Sequence, residues 1–206
     1  MEEQMDKIKG YLSMVGRSSF FGPQATVTQA SECELVVDVD MNDVANYNNA
    51  TGALLTIAAT GQPDVPRTLD IWVTDANGTV TAGTLVVTGF DQNGVAQVEE
   101  FDIFVVGSVG GHVHGSKAFS FISSVLLKSV TGTAADGDTI AVGAGNKIGL
   151  TAQPGAIYGD VIAANFNGAA EVGTFDRTYG TYTPAGTLAD GSQLEVLFTY
   201  KLEIPA

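Results

Sequence analysis

The sequence predicts a mainly β protein: an antiparallel sandwich or small barrel of about seven to nine strands, preceded by a short helical arm. Three observations lead there. Apolar and polar residues alternate with a period of two in several runs, most cleanly over 34–41 and 194–203. Tight-turn signals recur between such runs: Asp75, Asn77 and Gly78, then Asp91, Asn93 and Gly94, each following Val-Thr or a Thr/Gly-rich stretch. Asn-Gly tolerates the positive φ of a two-residue hairpin turn, so the stretch from Thr68 to Leu150 reads as a β meander. Finally, 25 glycines accompany a charged fraction of only 16%, a balance that favours turns and sheets over helices or disorder.

Taken in order, residues 1–22 form an arm distinct from a single β domain over 23–206. Met5, Ile8, Leu12 and Val15 recur at helical spacing, acidic Glu2, Glu3 and Asp6 suit a helix N-terminus, and Gly16 and Pro23 suit its end. In 34–41, Leu35, Val37, Val39 and Met41 share the face predicted to be buried. Residues 42–50 are an Asn-rich loop, and 53–60 a second strand. The two prolines of 61–66 interrupt the sheet and mark a weak internal boundary. Leu69, Ile71 and Val73 then share a face opposite Asp70, Trp72 and Thr74. Further strands follow over 85–88, 95–106 and 139–142, with 117–130 forming one bent strand or two. Residues 151–193 read as long loops with two or three short strands. The alternating 194–203 closes a sheet and holds the C-terminus.

The net charge is −14, with nine Lys and Arg in all. Nucleic-acid binding needs a basic footprint against the phosphates, so it is not expected. No run reaches the roughly 18–20 apolar residues of a membrane helix, and the acidic start is unlike a secretion signal, so synthesis in a cytoplasm is expected. Cys33, the single cysteine, cannot form an internal disulfide and reads as a small strand residue.

The residues Val73 to Thr79, Thr84 to Gly94, Glu99, Lys117 to Phe119 and above all Gly137 to Leu150, GDTIAVGAGNKIGL, together resemble a recurrent kind of tailed-bacteriophage virion protein, of the capsid decoration or cement type. The resemblance covers about eighty residues and implies a non-enzymatic protein present in many copies on the virion surface. Its implied partners are a major capsid protein, other virion proteins and its own copies, with a trimer as the implied assembly. A tail, neck or head-fibre component is the alternative within virions. A carbohydrate-binding module, with Trp72 and the late tyrosines as stacking platforms, is the alternative outside them.

No catalytic or cofactor constellation is expected. His112 and His114, the only histidines, sit in a glycine-rich stretch over 107–115 that reads as an exposed loop. On an extended chain they project to one side and could share a metal. Two ligands leave a zinc site incomplete, however, and the loop has no Cys, Asp or Glu to complete it. Asp38, Asp40, Asn42 and Asp43 superficially resemble a calcium loop but lack its sixth-position Gly and twelfth-position Glu. Glu99, Glu100 and Asp102 are available as paired carboxylates, though neighbours in a strand are more often solvated. The expected partner interface is the arm. Its charges cancel, and Ile8, Tyr11, Leu12, Phe20 and Phe21 supply the aromatic and aliphatic anchors that interfaces favour.

Overall fold

The period-two runs fold as strands, and every strand pairing among the described residues is antiparallel. The computed structural model describes residues 10–20, 31–58, 61–103, 111–188 and 191–204. Along them run β1 Gly10–Phe20, β2 Ser31–Asp40, β3 Ala53–Leu54, β4 Arg67–Thr74, β5 Val80–Asp91, β6 Ala96–Asp102 and β7 Gly111–His114. Then come β8 Phe119–Gly132, β9 Thr139–Gly149, β10 Ile157–Phe166, β11 Ala169–Ala170, β12 Thr174–Asp176, β13 Thr181–Thr183 and β14 Leu194–Ile204. The only helical element among the described residues is the 3-10 turn Met41–Asp43.

Two sheets result, neither closed into a barrel. The smaller has the order β1-β14-β10-β11; the larger runs β12-β13-β9-β4-β8-β5-β6, with β2 joining β9, β3 joining β8 and β7 joining β4. The mainly β, antiparallel expectation therefore holds. The helical arm does not. Residues 10–20 form a strand that pairs with β14 from Gly10↔Ile204 to Phe20↔Leu194 without a break in register. The reason is tertiary. The alternating strand β14 offers a continuous ladder that outweighs the weak local helical period. Residues 1–9 lie outside the described residues.

The meander is also corrected. Asn93-Gly94 does close a hairpin, since β5 and β6 pair from Thr84↔Asp102 to Phe90↔Ala96, with Gly94 at φ 77°. The matching turn at Asn77-Gly78, with Gly78 at φ 70°, instead leads from β4 into a strand that pairs with β6 and β8. It is pinned from outside. The Asp138 carboxylate accepts from Ala76 N at 2.7 Å, Asn77 Nδ2 at 3.2 Å and Ala135 N at 2.8 Å, tying this corner to the loop before β9.

Among the described residues the apolar side chains gather in two cores. The larger gathers Leu69, Ile71, Leu85, Val87, Phe119 and Val142 with their neighbours; the smaller holds Ile148, Tyr182, Leu194, Val196 and Phe198. The β4 and β14 alternations are as expected, with Leu69, Ile71, Leu194, Val196 and Phe198 all fully buried. In β2 the alternation slips. Val36 is buried while Val37 is 57% exposed, because the β2–β9 register shifts on both sides of Val36 and turns Val36 inward. The expected strand over 53–60 is only Ala53–Leu54 in the residues described, and the 151–193 segment contains one long strand, β10. β14 lies at the centre of its sheet, between β1 and β10, rather than at an edge.

Residues 61–66 are packed in. Val65 belongs to the smaller core, and the Gln62 amide bonds both backbone groups of Ile122, at 3.0 and 2.8 Å. Arg67, fully buried, follows at once. It stands in register with Phe119 on one side and Ile148 on the other, one residue from each core.

Candidate functional site

The most concentrated group of chemically able side chains lies where β7 docks on β4. Pairing sets Asp70 opposite His114 and Trp72 opposite His112. Residues two apart on a strand share a face, so all four side chains converge. Their partner strand on the far side of β4 contributes Ala141 opposite Trp72 and Gly143 opposite Asp70. His112 Nε2 lies 3.3 Å from Asp70 Oδ2, and His114 Nδ1 lies 3.1 Å from Asp70 Oδ1. The imidazoles stand 4.2 Å apart, and His112 stacks on the Trp72 indole at 4.4 Å and 24°. Asp70 is buried at 5% exposure, while the two histidines face solvent. Gly145 makes room beside the carboxylate: a Cβ there would sit 2.9 Å from Asp70 Oδ1 and 2.5 Å from Thr68 Oγ1.

The histidines are thus not loop residues. Gly111–His114 is a strand. One histidine nitrogen each and one Asp70 oxygen fall within 4.8 Å of one another, the set among the described residues that could hold a metal ion. The sequence showed the two histidines but not Asp70, whose only visible feature was its place on the polar face of β4. The missing signal was strand register between distant segments.

The other candidates are dispersed. Tyr11, Leu12 and Phe20 lie on β1, opposite Glu203, Leu202 and Leu194; Ile8 and Phe21 lie outside the described residues. Asp40 caps the 3-10 turn through Asn42 N and also accepts from Gly137 N, both at 2.9 Å, so its oxygens serve the backbone. Glu99 and Glu100 face opposite sides of β6. Glu100 pairs with Lys128 at 3.2 Å, whereas Glu99 accepts from Ser116 N at 2.8 Å and Lys117 N at 3.3 Å. Glu99 and Glu100 form no carboxylate pair, and Asp102, two residues beyond Glu100 on β6, lies on the exposed face with it. Tyr182 is buried, and Trp72 has one ring face on His112, so neither is a free stacking platform. An open cleft of about 440 Å³ lies between the Asn93-Gly94 hairpin and the start of β10, with Asn93, Gln97, Tyr158, Arg177 and Tyr179 on its walls.

Burial pushes the Glu99 carboxyl above its ordinary 4.5, against the opposing pull of the Ser116 and Lys117 N–H groups. The native state then holds this proton more tightly than the unfolded chain. Its contribution to stability is complete below about pH 4.5 and is lost as pH rises through the raised native value. Glu99→Gln is expected to flatten this part of the stability–pH curve, measured by urea melts between about pH 4 and pH 7.

One surface went unnoticed in the sequence. Alternation in β5, β6 and β8 turns Phe90, Val98 and Phe121 outward, each 43–47% exposed. Phe90 and Phe121 are cross-strand partners with rings 6.3 Å apart, and Val98 pairs with Thr88 next to them. Both faces of these strands carry apolar residues, so the pattern alone does not say which face is left open.

No family model, curated protein or solved structure matches the chain.

Proposed function

We propose that this chain is a non-enzymatic structural protein of a tailed-phage particle, a capsid decoration or cement protein that binds the shell and its own copies. The observation that carries the reading is the outward apolar face of Phe90, Val98 and Phe121 on an otherwise acidic protein. Adjacent exposed aromatic residues suit contact with a neighbouring protein. The resemblance to decoration proteins supports it as well, because the matching residues fall in the β4–β9 half that presents this face. The two-sheet architecture is compatible with a β-sandwich of the kind such proteins use.

The test is location and copy number. Quantitative mass spectrometry of purified particles is expected to find the chain in hundreds of copies; a dozen or fewer assigns it to tail, neck or fibre, and absence from particles overturns the reading. Phe90→Ser with Phe121→Ser is expected to weaken rebinding to stripped particles at least tenfold, about 1.4 kcal/mol, with the melting temperature little changed. The carbohydrate-binding alternative has the open cleft beside Tyr179 in its favour, and a glycan array on the wild-type chain and on Tyr179→Ala tests it.

A further inference from the structure

We propose that Asp70, His112 and His114 bind one divalent transition-metal ion of the zinc class, clamping β7 to β4. The donor set is mixed carboxylate and imidazole, which suits Zn²⁺, Co²⁺, Ni²⁺ or Cu²⁺ and disfavours Mg²⁺ and Ca²⁺, which take oxygen ligands. The spacing fits. Two ligands about 2.0–2.2 Å from a tetrahedral ion lie about 3.3 Å from each other; each imidazole nitrogen lies 3.3 or 3.1 Å from its own Asp70 oxygen, and one nitrogen of each ring and one carboxylate oxygen all fall within 4.8 Å.

The surroundings fit as well. Asp70 is almost wholly buried and supplies a fixed carboxylate, with each oxygen facing one imidazole. Gly145 leaves the space that carboxylate occupies. Both histidines are solvent-exposed, at 40% and 61% of their side chains, which gives an ion a path in and leaves its remaining position to water. Stacking on Trp72 restricts the His112 ring before any ion arrives. Without metal, His112 Nε2 and His114 Nδ1 can each donate to Asp70. Coordination through those nitrogens moves each ring proton to the other nitrogen of the same ring, so the neutral imidazoles need lose no proton overall. Three protein ligands and an open position make this a labile site, and the ion's effect is to cross-link two strands whose backbones already pair.

Trp72 is the protein's single tryptophan, so its fluorescence reports on this site alone. Untagged full-length chain, freed of metal by a chelator, is titrated with Cu²⁺ while Trp72 emission is recorded, and with Zn²⁺ by calorimetry. The expected result is saturable quenching by Cu²⁺, one Zn²⁺ per chain and no response to Mg²⁺. His112→Gln with His114→Gln is expected to weaken binding at least about 100-fold while the far-UV circular dichroism stays as in the parent. Absence of saturable binding below about 1 mM, roughly the weakest range of dedicated protein cation sites, overturns the proposal, as does undiminished binding by a folded double variant. A measurement on the wild-type chain decides the matter should that variant not fold. The Cu²⁺ paramagnetic resonance spectrum must show hyperfine splitting from two imidazole nitrogens, and a spectrum without them also overturns the proposal.

Discussion

Arg67→Ala is expected to cost about 3–5 kcal/mol of unfolding free energy, among the largest effects of any single substitution in this chain. The side chain is fully buried. Its Nε and Nη2 both donate to the Gly145 carbonyl, at 2.9 and 2.7 Å, and Nη1 meets Asp64 at 3.2 Å. Truncation removes both donors from that carbonyl and the guanidinium from beside a partly buried carboxylate, and opens a cavity between Phe119 of one core and Ile148 of the other. Urea melts give the loss directly. Arg67→Met separates the causes, because it refills much of the volume without restoring the donors. A Met variant as stable as the wild type would show that packing, and not the hydrogen bonds, makes Arg67 matter. An alanine variant that loses less than about 1 kcal/mol, the scale of an ordinary substitution, would show that Arg67 contributes little of either.

Deleting residues 1–22 is expected to destabilise the protein and to promote self-association, rather than to remove a dispensable arm. β1 pairs with β14 along its whole length, and Gly16 lies against the Phe198 ring so closely that a Cβ there would come within 2.5 Å of it. Phe198 is fully buried in the smaller core. Uncovering it costs up to about 3 kcal/mol, and β14 becomes an open edge able to pair with another chain. Urea midpoints and size-exclusion profiles of the truncated protein check both consequences. Gly16→Val tests the same contact without shortening the chain: a β-branched side chain at that site must displace the Phe198 ring or the strand. If the truncated chain melted with the midpoint of the full one and remained monomeric, the β1–β14 ladder would contribute nothing and residues 10–20 would be free to serve as a docking element.

The result for β1 also restricts the interface first read from the sequence. A strand held along eleven residues by one neighbour cannot also be a free helical anchor. Tyr11, Leu12 and Phe20 belong to a sheet, and Phe90 and Phe121 are exposed aromatic residues elsewhere on the described surface.

What the sequence determined by itself was local. Period-two alternation named β4 and β14 and the apolar residues they bury, because successive side chains of a strand point to opposite faces. Asn-Gly named two turns, and in each the glycine alone takes the positive φ. Those signals do not say which strands pair. The same turn chemistry closes a hairpin at Asn93-Gly94 and rounds a corner at Asn77-Gly78, where the Asp138 carboxylate, far away in the chain, holds the turn. Register decided the rest. It turned Val36 inward and Val37 outward in β2, and it drew residues 10–20 out of a helical pattern and into a ladder with β14. It also set β7 on β4 so that Asp70 meets His112 and His114. Pairing energy depends on partners remote in sequence, and so the tertiary structure, not the order of residues along the chain, assembled that carboxylate and those two imidazoles at one place.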